Sequence, residues 1–303
     1  MLELNDKLVI GVSSRALFDL EAENKIFEEE GLEEEGLEAY SAYQIEHEKD
    51  ILNPGTAFPL VKALQKLNSD GRYLTEIVIM SKNSADTSLR IFNSIEHYKL
   101  NISRAALVGG GDIHPYLESF KTDLFLSANE ADVQEAINAN FAAGIICRHD
   151  ELPIDPSGEI GQIRIAFDGD AVIFSDESER IYKEKGLEAF AEHEQVNARK
   201  ALPEGPFAKF LKTISLIQQQ FPQDAVPIRT ALVTARSAPT HERVILTLRA
   251  WNVRIDEVFF LGGMKKSDVL KAFGAHIFFD DQAVYTDPAS KVVPSARVPY
   301  KQN

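Results

Sequence analysis

Four short stretches of this chain end an apolar run in a residue that can do chemistry. "QIRIAFD" runs into Asp168-Gly169-Asp170, and "RTALVT" ends at Thr234. "EVFFLGG" is followed by Lys266, and "HIFFDD" ends in Asp280-Asp281. Three or four carboxylates in one crevice repel each other unless a cation lies among them. Hard oxygen ligands, with no His or Cys nearby, favour Mg2+. A hydroxyl (Thr234) and an ammonium (Lys266) beside that cation make a receptor for a phosphoryl group. Taken singly, each element is ordinary. A DxD after a strand often caps a helix, "VTARS" can be an N-cap, and DD is common in turns. The ordered set is what points to phosphoryl chemistry.

Every one of these residues lies at or just after a predicted strand end. In an open parallel sheet such ends converge on one crevice. The sequence predicts strands over 7–14, 76–81, 105–110 and 123–127, and again over 162–168, 229–234, 257–263 and 276–281. Each is short and mostly apolar without strict alternation, the pattern of strands buried on both faces of a parallel sheet. Amphipathic stretches such as 87–98 and 239–251 lie between them. An α/β fold follows. The polar segment 148–161, "RHDELPIDPSGEIG", reads as a linker.

The second half repeats the first. A shift of 153 residues lays 81–128 on 234–281 without a gap, matching Arg90 to Arg243 and Gly109-Gly110 to Gly262-Gly263. Upstream the offset is 150, where Gly55 meets Gly205, and then 155, the step being a local tandem copy in "GLEEEGLEAY". Two similar Rossmann-like lobes with parallel sheets are expected, 1–147 and 162–303. The lobes differ where the chemistry lies. Asp168 faces Ser13, Asp170 faces Arg15, Thr234 faces Ser81, Lys266 faces Ile113, and Asp280-Asp281 face Ser127-Ala128. The first lobe therefore lacks the catalytic carboxylates. Ser13, Arg15, Ser81 and Lys82 would lie at its matching strand ends as a second anion site suited to phosphate without a metal. The alternative is a lobe kept only as scaffold.

Composition limits the remaining classes. With 303 residues, 44% of them hydrophobic and 26% charged, the chain is an ordinary globular mix. The net charge of −15 argues against a nucleic-acid polymer as partner. One cysteine rules out a disulfide framework, and the seven histidines lack metal spacing. No apolar run approaches the roughly 20 residues of a membrane span, and the N-terminus does not read as a signal peptide. A cytoplasmic protein is expected, with its oligomeric state left open.

The motifs resemble those of the haloacid-dehalogenase-like phosphotransferases. More closely, "FDGDAVIFSDESERI", "IRTALVTARSA", "FFLGG" with Lys266, and "HIFFDDQ" resemble the cytosolic 5'-nucleotidases of type I. "VSSRALF", "YQIEHE" and "PGTAFPLVKAL" extend that likeness to the first lobe. The resemblance implies a Mg2+-dependent hydrolase of nucleoside 5'-monophosphates, AMP first. It implies Asp168 as nucleophile, forming an aspartyl-phosphate, and Asp170 as acid and base. Thr234 and Lys266 would hold phosphoryl oxygens. Asp168, Asp170 (through its carbonyl), Asp280 and Asp281 would surround the metal. The insert at about 176–206 sits where such enzymes carry a small helical cap. A phosphatase for another small phosphomonoester, such as a sugar phosphate, is the alternative. A receiver-type phosphoacceptor fits poorly, because there the acidic pair precedes the acceptor aspartate.

Overall fold

β1 (Leu8–Val12) reads LVIGV and is buried at every position. The other predicted runs also form strands, β2 (Thr75–Ser81), β3 (Arg104–Leu107), β4 (Leu124–Ser127), β6 (Ile163–Phe167), β7 (Ile228–Thr234), β8 (Glu257–Phe260) and β9 (Ile277–Asp280). They are buried throughout or at all but one position, except for the two edge strands, β3 and β8, which are half-buried or exposed. The structure is a computed structural model that describes residues 7–29, 34–69, 71–148, 154–156, 158 and 161–302. Most of the expected linker, and residues 30–33 of the tandem copy, lie outside the described residues. Three predicted strands ran too far. β1 stops at Val12, because Ser13 caps the short helix Ser14–Leu17. β3 and β8 stop before Gly109-Gly110 and Gly262-Gly263, whose positive φ values turn the chain out of the sheet.

Two further strands escaped the sequence reading. β5 (Ala143–Cys147) is "AGIIC", and β10 (Ser295–Arg297) is only "SAR". They pair antiparallel, Ser295 against Cys147 and Arg297 against Ile145, and so join everything into one ten-stranded sheet instead of two. The order is β3-β2-β1-β4-β5-β10-β9-β6-β7-β8. Read inward from either edge, the third, second, first, fourth and fifth strands of each half follow in turn. All pairings but the β5–β10 seam are parallel.

The halves share one core. A single cluster of buried side chains runs from Leu8 and Ile10 to Phe167, Phe279 and Val298. Helix Phe58–Gln65 packs on β6, and helix Ala208–Gln218 packs on β1, so each half's helix reaches the other half's first strand. Phe207 and Phe210 are fully buried against Phe167 and Phe279, as packing residues.

Each half also makes a helical excursion closed by a bridge. Phe18 pairs with Pro54, and Phe174 pairs with Glu204. The second excursion carries helix Glu177–Val196, bent at Gly186. Both bridges end at a glycine held to the departing strand. Gly55 N–H donates to Leu17 O at 2.8 Å, and Gly205 N–H to Ile173 O at 2.9 Å. Nothing larger fits. A Cβ on Gly205 would lie 2.3 Å from Phe174 O and 2.6 Å from Val172 O, both backbone atoms. Gly205→Ala is therefore expected to destabilise the fold by about 3 kcal/mol, at the upper end of overpacking costs, read as a lower urea midpoint at unchanged slope.

Candidate active site

β6 lies between β9 and β7, and all three run parallel. Their C-terminal ends therefore open on the same side. Asp168 is the first residue past β6, its N–H donating to Phe279 O at 2.7 Å. Asp280 ends β9, Asp281 follows it, and Thr234 ends β7. Lys266 begins the helix Lys266–Phe273. All five are buried. The carboxylates of Asp168, Asp280 and Asp281 offer oxygens within 4.8 Å of one another. Lys266 Nζ donates to Asp168 Oδ1 at 2.8 Å and to Asp280 Oδ2 at 2.7 Å. Asp170 sits in the turn after Asp168 and points its carboxylate elsewhere, to Arg236. In the first half, Ser13, Arg15, Ser81 and Lys82 all line one cavity of about 420 Å3.

The electrostatics of the crevice follow from burial. Loss of water pushes Asp168 above the ordinary carboxylate range, and the Lys266 ammonium opposes that push. Asp280 is driven well above its usual value by burial, then by the Asp168 charge. Asp281 is pushed up to about 7 by burial and by Asp168, while the Tyr300 hydroxyl donates to its Oδ2. Burial acts to lower Lys266, but the Asp168 and Asp280 charges overcome it and hold the ammonium firmly protonated. The Lys266 ammonium also lies 4.2 Å from the centre of the Tyr285 ring. Asp281 Oδ1 is buried and accepts no hydrogen bond. Three acceptor-only groups with an orphaned oxygen form a donor set that a hard divalent cation fits.

The model of the 5'-nucleotidase family matches residues 1–303. The chain belongs to the 5'-nucleotidase family. A curated relative, cytosolic 5'-nucleotidase 1B of Homo sapiens, is 40% identical over 301 residues. That match covers 94% of this chain and 47% of the relative, so the chain spans about half the relative's length. No solved structure matches it.

One charged residue at the crevice of this family member was missed by sequence reasoning. Arg236, two residues past Thr234, is 5% exposed. Its Nε and Nη2 grip Asp170 Oδ2 and Oδ1 at 2.8 and 2.6 Å, a bidentate fork. Its Nη1 donates to Glu194, and its guanidinium lies 5.2 Å from the centre of the Phe190 ring. Glu194 and Phe190 both belong to the excursion helix. Glu194 also accepts from Arg243 Nη1 at 2.8 Å and from the Ser178 hydroxyl at 2.9 Å. Arg236 thus links Asp170 to the helix of the excursion. The only signal in the sequence was an arginine at fixed distance from Thr234, and its partner lies 66 residues away. Glu194 neutralises two buried guanidiniums, so removing its charge strands both. Glu194→Gln is expected to cost about 3–5 kcal/mol of stability, the usual penalty for breaking a buried pair. Urea unfolding measures it, and Glu188→Gln, elsewhere on the same helix, should stay within about 0.5 kcal/mol of wild type.

Proposed function

We propose that the chain is a Mg2+-dependent 5'-nucleotidase, hydrolysing nucleoside 5'-monophosphates to nucleoside and phosphate, with AMP the first substrate to test. The observation that carries this reading is Asp168, buried at a strand end beside Lys266 and two further carboxylates. Family membership favours a nucleotide over a sugar phosphate. The human relative is named a cytosolic enzyme, which supports a cytosolic setting, and no helix among the described residues is long and apolar enough to cross a membrane.

In this mechanism Asp168 attacks phosphorus in line, and the P–O5' bond breaks as the new P–O bond forms. Asp170 gives its proton to the departing ribose oxygen. Asp170 then takes a proton from water as that water attacks phosphorus and the bond to Asp168 breaks, releasing phosphate. Lys266 and Thr234 hold the phosphoryl oxygens as their charge redistributes. Asp168, Asp280, Asp281 and the Asp170 carbonyl would hold the cation. When bound, it would offset the repulsion among the carboxylates and add positive charge beside the phosphoryl group. To reach the leaving oxygen, Asp170 must let go of Arg236. Arg236 in turn contacts the excursion helix, so the excursion at about 176–206 acts as a cap whose position and the acid's position are tied.

We also read the mirrored strand order as an internal duplication of a haloacid-dehalogenase-like lobe. The second half is then the catalytic copy.

Phosphate release from a panel of nucleotides and sugar phosphates, with and without Mg2+, tests the function. Nucleoside 5'-monophosphates should lead the panel, and excess EDTA should abolish release until Mg2+ is restored. Asp168→Asn should remove activity while leaving the circular dichroism spectrum unchanged. Asp170→Asn should lower kcat by about 10² or more. Full activity in Asp168→Asn would rule out the covalent route.

A pH dependence follows from Asp281. Its proton and the cation compete for the same oxygens, so the Mg2+ needed for half-maximal activity should rise as pH falls below about 7. The slope should approach roughly ten-fold per pH unit for a single proton. In the metal-free protein the sign is opposite. All three carboxyls are raised, so the folded state holds more protons than the unfolded state, and stability falls as pH climbs from about 4 through about 7. The melting temperature in EDTA should therefore drop by a few degrees between pH 5.5 and pH 8, and Mg2+ should restore more of it at pH 8.

A further inference from the structure

The first half repeats the crevice with its carboxylates removed. Three backbone contacts show that the frame is kept. Ser13 N–H donates to Leu126 O at 2.8 Å, as Asp168 N–H does to Phe279 O at 2.7 Å. Asn83 N–H donates to Ser81 Oγ at 3.2 Å, as Arg236 N–H does to Thr234 Oγ1 at 3.3 Å. Asn129 N–H donates to Ser127 Oγ at 3.1 Å, as Gln282 N–H does to Asp280 Oδ1 at 2.9 Å. Around that frame lies the cavity of about 420 Å3, within the range of small-molecule sites.

The lining has lost the excess of carboxylates. The catalytic crevice sets four carboxylates, Asp168, Asp170, Asp280 and Asp281, against Lys266 and Arg236. The cavity is lined by Arg15 and Lys82, each paired with one carboxylate, Glu21 and Asp132. Arg15 is held by Glu21 and Asn24, and Lys82 by Asp132 at 2.6 Å, so both cations are fixed in place at the rim. Buried hydroxyls line its floor, with Ser14 Oγ and Ser81 Oγ 3.0 Å apart. Hydroxyls and guanidinium or ammonium groups bind phosphate oxygens directly, with no metal between. The lining also includes Leu20, Tyr40 and Ile113, which can cover an apolar or aromatic body.

We propose that this cavity is a second binding site, independent of metal, for a small organic phosphate, a nucleoside monophosphate in the first instance. The phosphate class rests on the phosphoryl reading of the matching crevice. No hydrolysis occurs there, because Ser13 lacks both a partner base and the carboxylates that would hold a cation.

The test is calorimetric titration of the full chain in excess EDTA with AMP, inorganic phosphate and adenosine as separate probes. AMP should bind, phosphate should compete with it, and adenosine should bind at least ten-fold more weakly. Ser81→Asp, which places a negative charge on the floor, and Arg15→Ala, at a partly exposed side chain, should each weaken AMP at least ten-fold. Hydrolysis in Mg2+ should stay within two-fold of wild type in Arg15→Ala, which reports an intact fold and catalytic crevice. No AMP binding to the wild type in EDTA overturns the proposal. So does binding that neither substitution weakens, since it then lies in the other crevice. Adenosine binding as tightly as AMP overturns the phosphate class. Absent hydrolysis in Mg2+ with AMP binding retained in EDTA would instead defeat the enzymatic reading and leave this site standing.

Discussion

Repulsion among the buried carboxylates of the crevice is the constraint to which the rest of the second half answers. Register alone creates it. Phe167 of β6 is the partner of Phe279 of β9, so the next residue of each strand, Asp168 and Asp280, must emerge side by side. The two rings stack beneath them, with centroids 5.7 Å apart, inside a core of fully buried phenylalanines. That packing leaves the strand ends no freedom to part. Burial, and then the charge of Asp168, raise the carboxyls, while Lys266, buried between Asp168 and Asp280, opposes the rise in those two and is itself held protonated by them. One ammonium among three carboxyls leaves the cluster short of positive charge. A divalent cation, a proton, or both can supply what is missing, and the choice depends on pH.

Asp170 escapes this cluster because its chain turns away. The turn Gly169–Ile173 carries Ala171 at φ 61, and the carboxylate goes to Arg236 rather than to the other aspartates. The crevice is thus divided. One part holds the groups suited to the phosphoryl oxygens and the cation. The other holds Asp170, whose partner Arg236 is tied through Glu194 to the excursion helix. In the proposed mechanism the group that must move is thereby linked to the element best placed to move with it. The same logic is absent from the first half. There Arg90, matched to Arg243, pairs with Glu23 at 2.6 Å and with Asp50 O at 2.9 Å. The anchoring arginine is kept, while Arg15 and Asn83 occupy the positions of Asp170 and Arg236.

Much of this was legible in the sequence for a physical reason. Strands covered on both faces must be apolar, and a polar residue that ends such a run stands out. Asp168, Thr234 and Asp280 could be placed at strand ends on that ground alone. The strand order and the seam could not. β5 and β10 are short and mixed in composition, and what makes them strands is each other's hydrogen bonds. Arg236 was hidden for a related reason. Its role lies in a partner distant in sequence, and an arginine in a polar turn looks the same whether it is solvated or buried. The overrun of β3 and β8 into their glycines shows the limit of hydrophobicity as a guide to ends, since the turn is set by backbone φ and not by side chains.

The seam also bears on what the first half is for. Helix Phe58–Gln65 covers β6, the strand that carries Asp168, and helix Ala208–Gln218 covers β1 in return. Removing the first half would uncover the strand that ends at Asp168 and leave β10 without its antiparallel partner. Selection for a working second half therefore preserves the core of the first whether or not its cavity binds anything. That pressure falls first on the buried apolar residues. The polar lining also serves the frame, since Ser13 caps the short helix Ser14–Leu17, Ser81 and Ser127 accept the N–H groups of Asn83 and Asn129, and Lys82 pairs with Asp132. A scaffold role thus accounts for the strands, the helices and these local bonds of the first half, so a scaffold and a binding site would differ only in what enters the cavity.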